Sequence, residues 1–341
     1  MKVLGKAPAG ERLKRIRLSP HYQDGTFQNI EKTEVMLKGV SPLKMMRDFI
    51  NKPVTVKPGQ PLPVIKTDLK NIAANTPAFV WFGHSSYFIK HYNFSILVDP
   101  VLVNYASPFS FIIKGFTGLE AYSPADLPPI DLLIITHDHY DHLNYETISQ
   151  IKDKVKKIVV PLGVGEHLEY WGIAPEKITE LDWWEDTQIN KNIKLTATPA
   201  RHFSGRGFTR NNTLWTSYVL ELQGYKIFLG GDSGYDAQFK VIGNKFGPFD
   251  LALLECGQYG INWPYIHMLP EQTVQAALDL QTEVLWPIHW GKFALAYHPW
   301  DEPITRVLAA AAPHNLPVAT PAIGETYVLG DSTATRTWWQ L

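Results

Sequence analysis

The stretch THDHYDHLN, residues 136–144, follows directly on the apolar run DLLII (131–135) and decides how the rest of the chain is read. His137, His139, Asp141 and His142 fall within six positions of a chain that holds 12 histidines in all. A buried strand that hands its last residue to such a loop brings four metal-capable side chains to one place. In an extended or turning backbone the i,i+2 spacing lets His137 and His139 address one ion, while the adjacent Asp141 and His142 address a second beside it. A polar surface loop is the plain alternative, and the density of histidine argues against it.

The same arrangement recurs along the chain. Short apolar runs rich in β-branched and aromatic residues begin at Ala78 with AFVWF, YFIK and FSILVDP, and another ends in IVVPLG (158–163). Further strands are expected at IKLTATPA (193–200), TSYVLEL (216–222), YKIFLGGD (225–232), DLALLEC (250–256) and EVLWPIH (283–289). Helices fit between them at Tyr145–Ile151 and at PEQTVQAALDL (270–280), where Pro270 suits a first-turn position and Val274, Ala277 and Leu278 make an apolar stripe. His137, Asp232 and His289 each close an apolar run, and in layered α/β proteins chemistry gathers at the carboxyl ends of strands. Residues 1–76 show no sustained periodicity and read as an N-terminal arm packing on a main domain, 77–341, that includes a C-terminal extension.

Composition narrows the function. The 341 residues, 45% hydrophobic and 19% charged, exclude a disordered or fibrous chain. Basic residues number 32 against 33 acidic ones, without a long charged block, so no nucleic-acid partner is expected. Cys256 is the only cysteine, which rules out an intrachain disulfide and a thiolate cluster and leaves any metal to His, Asp or Glu. The N-terminus carries Lys2, Lys6, Arg12, Lys14, Arg15 and Arg17 but no apolar signal stretch, and no run reaches the ~18 apolar residues of a membrane span. A cytoplasmic protein is expected, with residues 1–17 as the segment that would touch the inner face of the membrane.

The His-x-His-x-Asp-His pattern after an apolar strand resembles the metallo-β-lactamase fold superfamily of metal-dependent hydrolases. WFGHSS (81–86), LPPIDLLIITHDHYDHLNY (127–145), ELDWWE (180–185), FLGGDSGY (228–235), FGPFDLALLECGQYG (246–260) and IHWGKFALA (288–296) are similar to one branch, the N-acylphosphatidylethanolamine-hydrolysing phospholipase D family and its bacterial relatives. The resemblance spans about residues 78–300 and implies an α/β fold, a four-layer αββα sandwich with a two-metal site at one edge. It implies that His137, His139 and His202 hold a first zinc, Asp141, His142 and His289 a second, and that Asp232 bridges them. Manganese or iron also suits such N and O donors.

The implied reaction is hydrolysis of a small-molecule or lipid phosphodiester by metal-bound hydroxide, with Asp141, Asp232 and His267 as catalytic residues. His267 in YIHMLPEQ matches a family histidine that faces substrate and protonates the leaving oxygen or binds phosphate. His84, Glu255, Trp263 and Tyr265 are expected at the substrate, His84 alternatively orienting a ligand. Glu255 and Cys256 stand where the mammalian branch is more apolar, and Cys256 reads as a buried filler. ASPFSFIIKGFTG (106–118) is the candidate entrance flap, and aromatic residues such as Phe203, Phe208 and Trp263 are candidates for its rim. A lactone, ester or amide hydrolase using the same centre is the rival enzyme, to be told apart by whether His267, Arg201, Arg206 or Arg210 builds an anion pocket. A metal-stabilised interaction protein is the non-enzymatic alternative, and a homodimer is compatible with the sequence.

Overall fold

Strands that read as unbroken apolar runs need cover on both faces. In the computed structural model, which describes residues 1–207, 209–331 and 337–341, each run finds that cover. The N-terminal part forms α1 (Gly10–Leu18), the short pair β1 (Tyr22–Gln23) and β2 (Thr26–Phe27), and α2 (Pro42–Ile50). A first half of the main domain follows: β3 (Ala78–Trp81), β4 (Tyr87–His91), β5 (Phe94–Val98), β6 (Ile130–Ile134), α3 (Tyr145–Ile151), β7 (Val155–Pro161), α4 (Gly165–Tyr170) and β8 (Ile178–Leu181). The second half comprises β9 (Asp186–Asn190), β10 (Ile193–Thr198), β11 (Ser217–Leu222), β12 (Tyr225–Leu229), α5 (Gln238–Phe246), β13 (Leu251–Glu255), α6 (Pro270–Asp279), β14 (Leu285–Ile288), α7 (Glu302–Ala311) and β15 (Thr326–Val328).

The two halves repeat one plan. The first sheet runs β15-β3-β4-β5-β6-β7-β8 and the second β14-β13-β12-β11-β10-β9. Each half begins with antiparallel neighbours and continues with parallel ones, through β5-β6-β7-β8 in one and β12-β13-β14 in the other. Period-two alternation sorts the side chains. Phe79, Trp81, Tyr87, Ile89, Ile96 and Val98 face the second sheet, where Phe79 meets Trp286 of β14 edge-on at 5.7 Å. Their neighbours Val80, Phe88, Leu97 and Leu133 turn the other way, onto Ile148 and Ile151 of α3 and Leu168 of α4. Helices α5, α6 and α7 cover the far face of the second sheet through Phe239, Ile242, Val274, Ala277, Ile304 and Val307. The result is the expected αββα sandwich.

Residues 1–76 hold more structure than their lack of periodicity suggested. Ile16 of α1 and Phe27 of β2 are fully buried with Leu162, Trp183, Leu214 and Trp215 of the main domain. Arg12 reaches three carboxylates, Glu166, Glu169 and Glu180, at 2.5–2.8 Å. The Lys6 amide donates to His167 Nδ1 and Trp171 Nε1 donates to the Lys2 carbonyl. The basic residues expected at a membrane are therefore largely paired: Lys6 with Glu166, Arg12 as above, Lys14 with Glu11 and Arg15 with Glu185. Three strands of the main domain outside the sequence reading, β8, β9 and β15, are short pieces with partly exposed residues, where apolar continuity gives no signal.

Candidate metal centre

Residues just past the strand ends on one edge of the sandwich build the site. Asp99 follows β5, the loop 136–144 follows β6, His202 lies beyond β10, Asp232 beyond β12, Glu255 ends β13, and His289 follows β14. The helix after the motif starts where the sequence prescribes it: the Asn144 side chain accepts the Thr147 N–H at 2.9 Å, an N-cap that ends the loop and opens α3. Asp138, between the two leading histidines, pins the loop from below through Gly205 N–H at 2.7 Å, Thr213 Oγ1 at 3.0 Å and His167 Nε2 at 3.2 Å.

Two groups of four side chains converge, each with donor atoms within 4.8 Å of one another: His137, His139, His202 and Asp232 in one, His84, Asp141, His142 and His289 in the other. Asp232 lies between them, its Oδ2 at 3.8 and 3.7 Å from His137 Nε2 and His202 Nε2, its Oδ1 at 3.2 Å from His142 Nε2 and 3.0 Å from His289 Nδ1. All seven residues expected as ligands are thus brought together. His84 joins them instead of the cavity wall: it is fully buried and its Nε2 meets Asp141 Oδ2 at 2.8 Å.

Neighbouring groups fix which nitrogen of each ring faces inward. Thr136 Oγ1 donates to Asp99 Oδ2 at 2.6 Å, so at 3.0 Å it accepts from His137 Nδ1 and leaves Nε2 for the centre. His142 Nδ1 donates to Asp99 Oδ2 at 2.8 Å and His202 Nδ1 to the Ile266 carbonyl at 2.8 Å. Ser85 Oγ sits 2.9 Å from His289 Nδ1. The arm also takes part: Asn29 Oδ1 accepts the His202 N–H at 3.0 Å and its Nδ2 donates to the His202 carbonyl at 2.8 Å. Asp99, His84 and His289 hold positive φ angles of 41°, 55° and 66°, a conformation that costs such residues on the order of 1 kcal/mol each. Backbone bonds from His84 N–H to the Trp290 carbonyl and from His289 N–H to the His84 carbonyl, both 2.9 Å, hold two of them there.

The donor set fits a cation. His137 Nε2, His139 Nδ1 and His202 Nε2 point at one another at 2.9–3.3 Å, while His142 Nε2, His289 Nε2 and Asp232 Oδ1 are buried without a hydrogen-bond partner. Burial pushes His139 and His84 down to about 4 and holds His137, His202 and His289 well below the ordinary histidine range, so their lone pairs are free. Burial acts the same way on His142 but is outweighed by Asp232, Asp141 and Asp99, which raise it. Burial pushes Asp232 up to about 6, and on Asp141 burial is overcome by His142 and His84, which lower it.

A cavity of about 300 Å³ opens onto these groups. It is lined by His139, Asp141, His202, Asp232 and His289, by His267 and Arg210, and by the apolar Val35, Met36, Ala106, Ile113 and Leu295. Trp263 lines it, whereas Tyr265 is absent from its lining and lies with its ring 4.9 Å from the Arg201 guanidinium. Glu255 is fully buried behind His267: its Oε1 accepts the Met268 N–H at 2.8 Å and lies 3.3 Å from His267 Nδ1. Of the three arginines weighed for an anion pocket, Arg201 is taken by Thr33 and the Tyr235 carbonyl and Arg206 by the carbonyls of Val3, Asp138 and Leu143, which leaves Arg210. Phe203 lines the cavity, and Phe208 lies outside the described residues. The loop 106–118 is pinned at its base, Ala106 N–H to the Ile113 carbonyl at 2.9 Å and Gly115 N–H to the Asn104 carbonyl at 3.0 Å.

The family described as beta-lactamase superfamily domain matches residues 95–290, a span that contains both ligand groups except His84. The chain belongs to the β-lactamase superfamily. Membership and the converging His/Asp cluster together make it a metal-dependent hydrolase of that superfamily. An uncharacterised Mycobacterium tuberculosis protein is 37% identical over 95% of this chain and 88% of its own length. The N-acyl-phosphatidylethanolamine-hydrolysing phospholipase D 1 of Caenorhabditis elegans is 31% identical over 63% of this chain, which spans 64% of that protein. Among solved structures, the metallo hydrolase Igni18 of Ignicoccus hospitalis superposes with a TM-score of 0.58 at 21% identity, over 75% of this chain and 100% of Igni18.

Sequence reasoning left out Asp99, Thr136, Ser85, Asn29 and Gln258. Asp99 closes the run FSILV, so the rule that singled out Asp232 and His289 applies to it equally. Gln258 organises the loop after His289, its Oε1 accepting Leu295 and Ala296 N–H at 2.8 and 2.9 Å. Nothing local marks Asn29, which lies 173 residues from its partner His202.

Proposed function

We propose that the protein is a dinuclear zinc phosphodiesterase acting on a phosphodiester that carries an apolar group, of the N-acylphosphatidylethanolamine phospholipase D type. The observation that carries the reading is the cavity itself: Arg210 and His267, which could meet an anion, line it together with residues of both ligand groups and with apolar side chains. His137, His139 and His202 would hold one ion, Asp141, His142 and His289 the other, and Asp232 would serve both. Manganese or iron fits the same donors. When bound, such ions supply Lewis acidity and lower the pKa of water toward neutrality.

The chain's own groups do the rest. Arg210 pairs with a nonbridging phosphate oxygen, and the apolar lining receives an acyl chain and excludes water from it. His267, with Nδ1 held by Glu255, turns its Nε2 to the cavity, where it binds phosphate or delivers a proton to the leaving oxygen. Turnover of a panel of N-acylphosphatidylethanolamines, simple and cyclic phosphodiesters, lactones and thioesters at defined metal content tests the proposal. Cleavage of phosphodiesters, lost in Arg210→Ala by a rise in KM, is expected. Cleavage of lactones or thioesters with phosphodiesters untouched would overturn it.

A further inference from the structure

Residues 2–6 grip the main domain without burying a side chain. Lys2–Leu4 make a single 3-10 turn, and none of residues 1–10 is buried. A cavity of about 90 Å³, whose lining includes Leu4, Pro8, Asp138, His167 and Arg206, remains at the contact, so apolar packing is not what fixes the segment. Its main chain does so. The Val3 carbonyl accepts from Arg206 Nε at 3.3 Å and Nη2 at 2.8 Å, the Lys2 carbonyl accepts from Trp171 Nε1 at 2.8 Å, and the Lys6 N–H donates to His167 Nδ1 at 3.0 Å. Gly5 permits the approach: its φ is 71°, and a Cβ there would collide with the His167 ring.

Both Arg206 and His167 lead on to the ligand loop. Arg206 is buried, and its Nη1 donates to the carbonyls of Asp138 at 2.7 Å and Leu143 at 2.6 Å, which flank His139, Asp141 and His142. His167 is buried as well, and a neutral ring whose Nδ1 accepts a hydrogen bond carries its proton on Nε2. That Nε2 lies 3.2 Å from Asp138 Oδ2. The Asp138 carboxylate also takes Thr213 Oγ1 at 3.0 Å and the N–H of Gly205, three residues beyond His202, at 2.7 Å. Asp138 thus joins the stretch holding His137 and His139 to the stretch holding His202, and every one of these contacts is buried or nearly so.

We infer that residues 2–6 are a strap whose backbone sets the geometry of the metal-ligand loop, with His167 as the positioning residue through which it acts. Lys6 N–H selects the His167 tautomer, His167 holds the Asp138 carboxylate, and the Val3 carbonyl completes the acceptors of Arg206. Without the strap the His167 proton is free to move to Nδ1, which turns a lone pair toward Asp138, and two donors of Arg206 lose their acceptor. Buried polar groups left short of partners cost enough that the loop shifts to repair them. The inference rests on the metal centre and not on which bond is hydrolysed.

Titration of the full chain with cobalt(II), followed by visible absorption, reads affinity and coordination without turnover. Deleting residues 2–7 should weaken binding about 10–100-fold, the range for lost outer partners of metal ligands, and should shift the absorption bands. Lys6→Pro, which removes the donor N–H, should weaken it about 10-fold. Lys6→Ala, which removes the ammonium paired with Glu166 and keeps the N–H, should bind as the parent does. His167→Phe should weaken binding as the deletion does, and His167→Gln, which retains a donor toward Asp138, should restore most of it. In each weakened variant the rise in melting temperature given by cobalt should shrink, whereas a strap that only braced the fold would lower the metal-free and metal-loaded melting temperatures together. Unchanged affinity in the deletion and in His167→Phe overturns the inference, as does an equal loss in Lys6→Ala and Lys6→Pro; a deletion that does not fold leaves the point variants to decide. A parent that binds no cobalt overturns the metal centre and the strap's role together, while unchanged variants of a parent that binds it leave the centre and the proposed chemistry standing.

Discussion

Asp99 carries no bond to the reacting centre, yet it receives the Thr136 amide, the Thr136 hydroxyl and His142 Nδ1, and so decides which nitrogens of His137 and His142 face inward. Replacing it by Ala should lower metal affinity about 10–100-fold, as measured by competition with a chromophoric chelator, while the far-UV spectrum is kept. Unchanged affinity would show that the rings are oriented without it. Glu255 poses a different question. Burial holds its carboxyl well above the ordinary range, and Gln mimics its neutral form. Glu255→Gln should keep kcat within about 3-fold, whereas Glu255→Leu strands the Met268 amide, frees His267 and should lower kcat about 10–100-fold, the share a positioned acid contributes. A large loss in Glu255→Gln would mean the ionised form is required.

At the scale of elements, α1 is held to the main domain by Arg12 and its three carboxylates. Burial raises Glu166, but Lys6 and Arg12 outweigh it and hold the carboxyl below 4.5. A carboxylate with a depressed folded pKa stabilises the fold above its unfolded value and loses that contribution as pH falls through the folded one. Thermal melts should therefore show parent and Arg12→Met separated by about 1–2 kcal/mol at pH 7, after allowance for solvent screening. The gap should narrow below pH 4.5; a gap independent of pH would place the contribution of Arg12 in packing alone. Strands such as β6, β12 and β14 were legible because their runs are apolar but for one charged residue near the start of β6, Asp131, and of β12, Lys226. Helices α1 and α2 were not: α1 buries only Ile16 and α2 leaves its apolar stripe outside, so neither shows the pattern of a core-facing helix. The ligand loop was the most legible part of the site because four of its donors are local in sequence.

At the scale of the molecule, the sandwich gathers candidate ligands from beyond β6, β10, β12 and β14, so an ion held by them would tie both sheets to one point. Chelation should lower the melting temperature and zinc should restore it, by about 2.7 kcal/mol of added stability at a hundredfold excess over Kd; a melting temperature blind to chelator would argue against a resident metal. The arm joins the same point, with Val35 and Met36 in the cavity wall and Asn29 clamped on the backbone of His202. A chain emerging from the ribosome presents Asn29 first, with nothing yet to grip, and its partner follows 173 residues later. The centre therefore matures late in synthesis: the earliest residues made wait on much later ones, and a ribosome stalled before the second half leaves the first histidine cluster without its closing half and without its clamp.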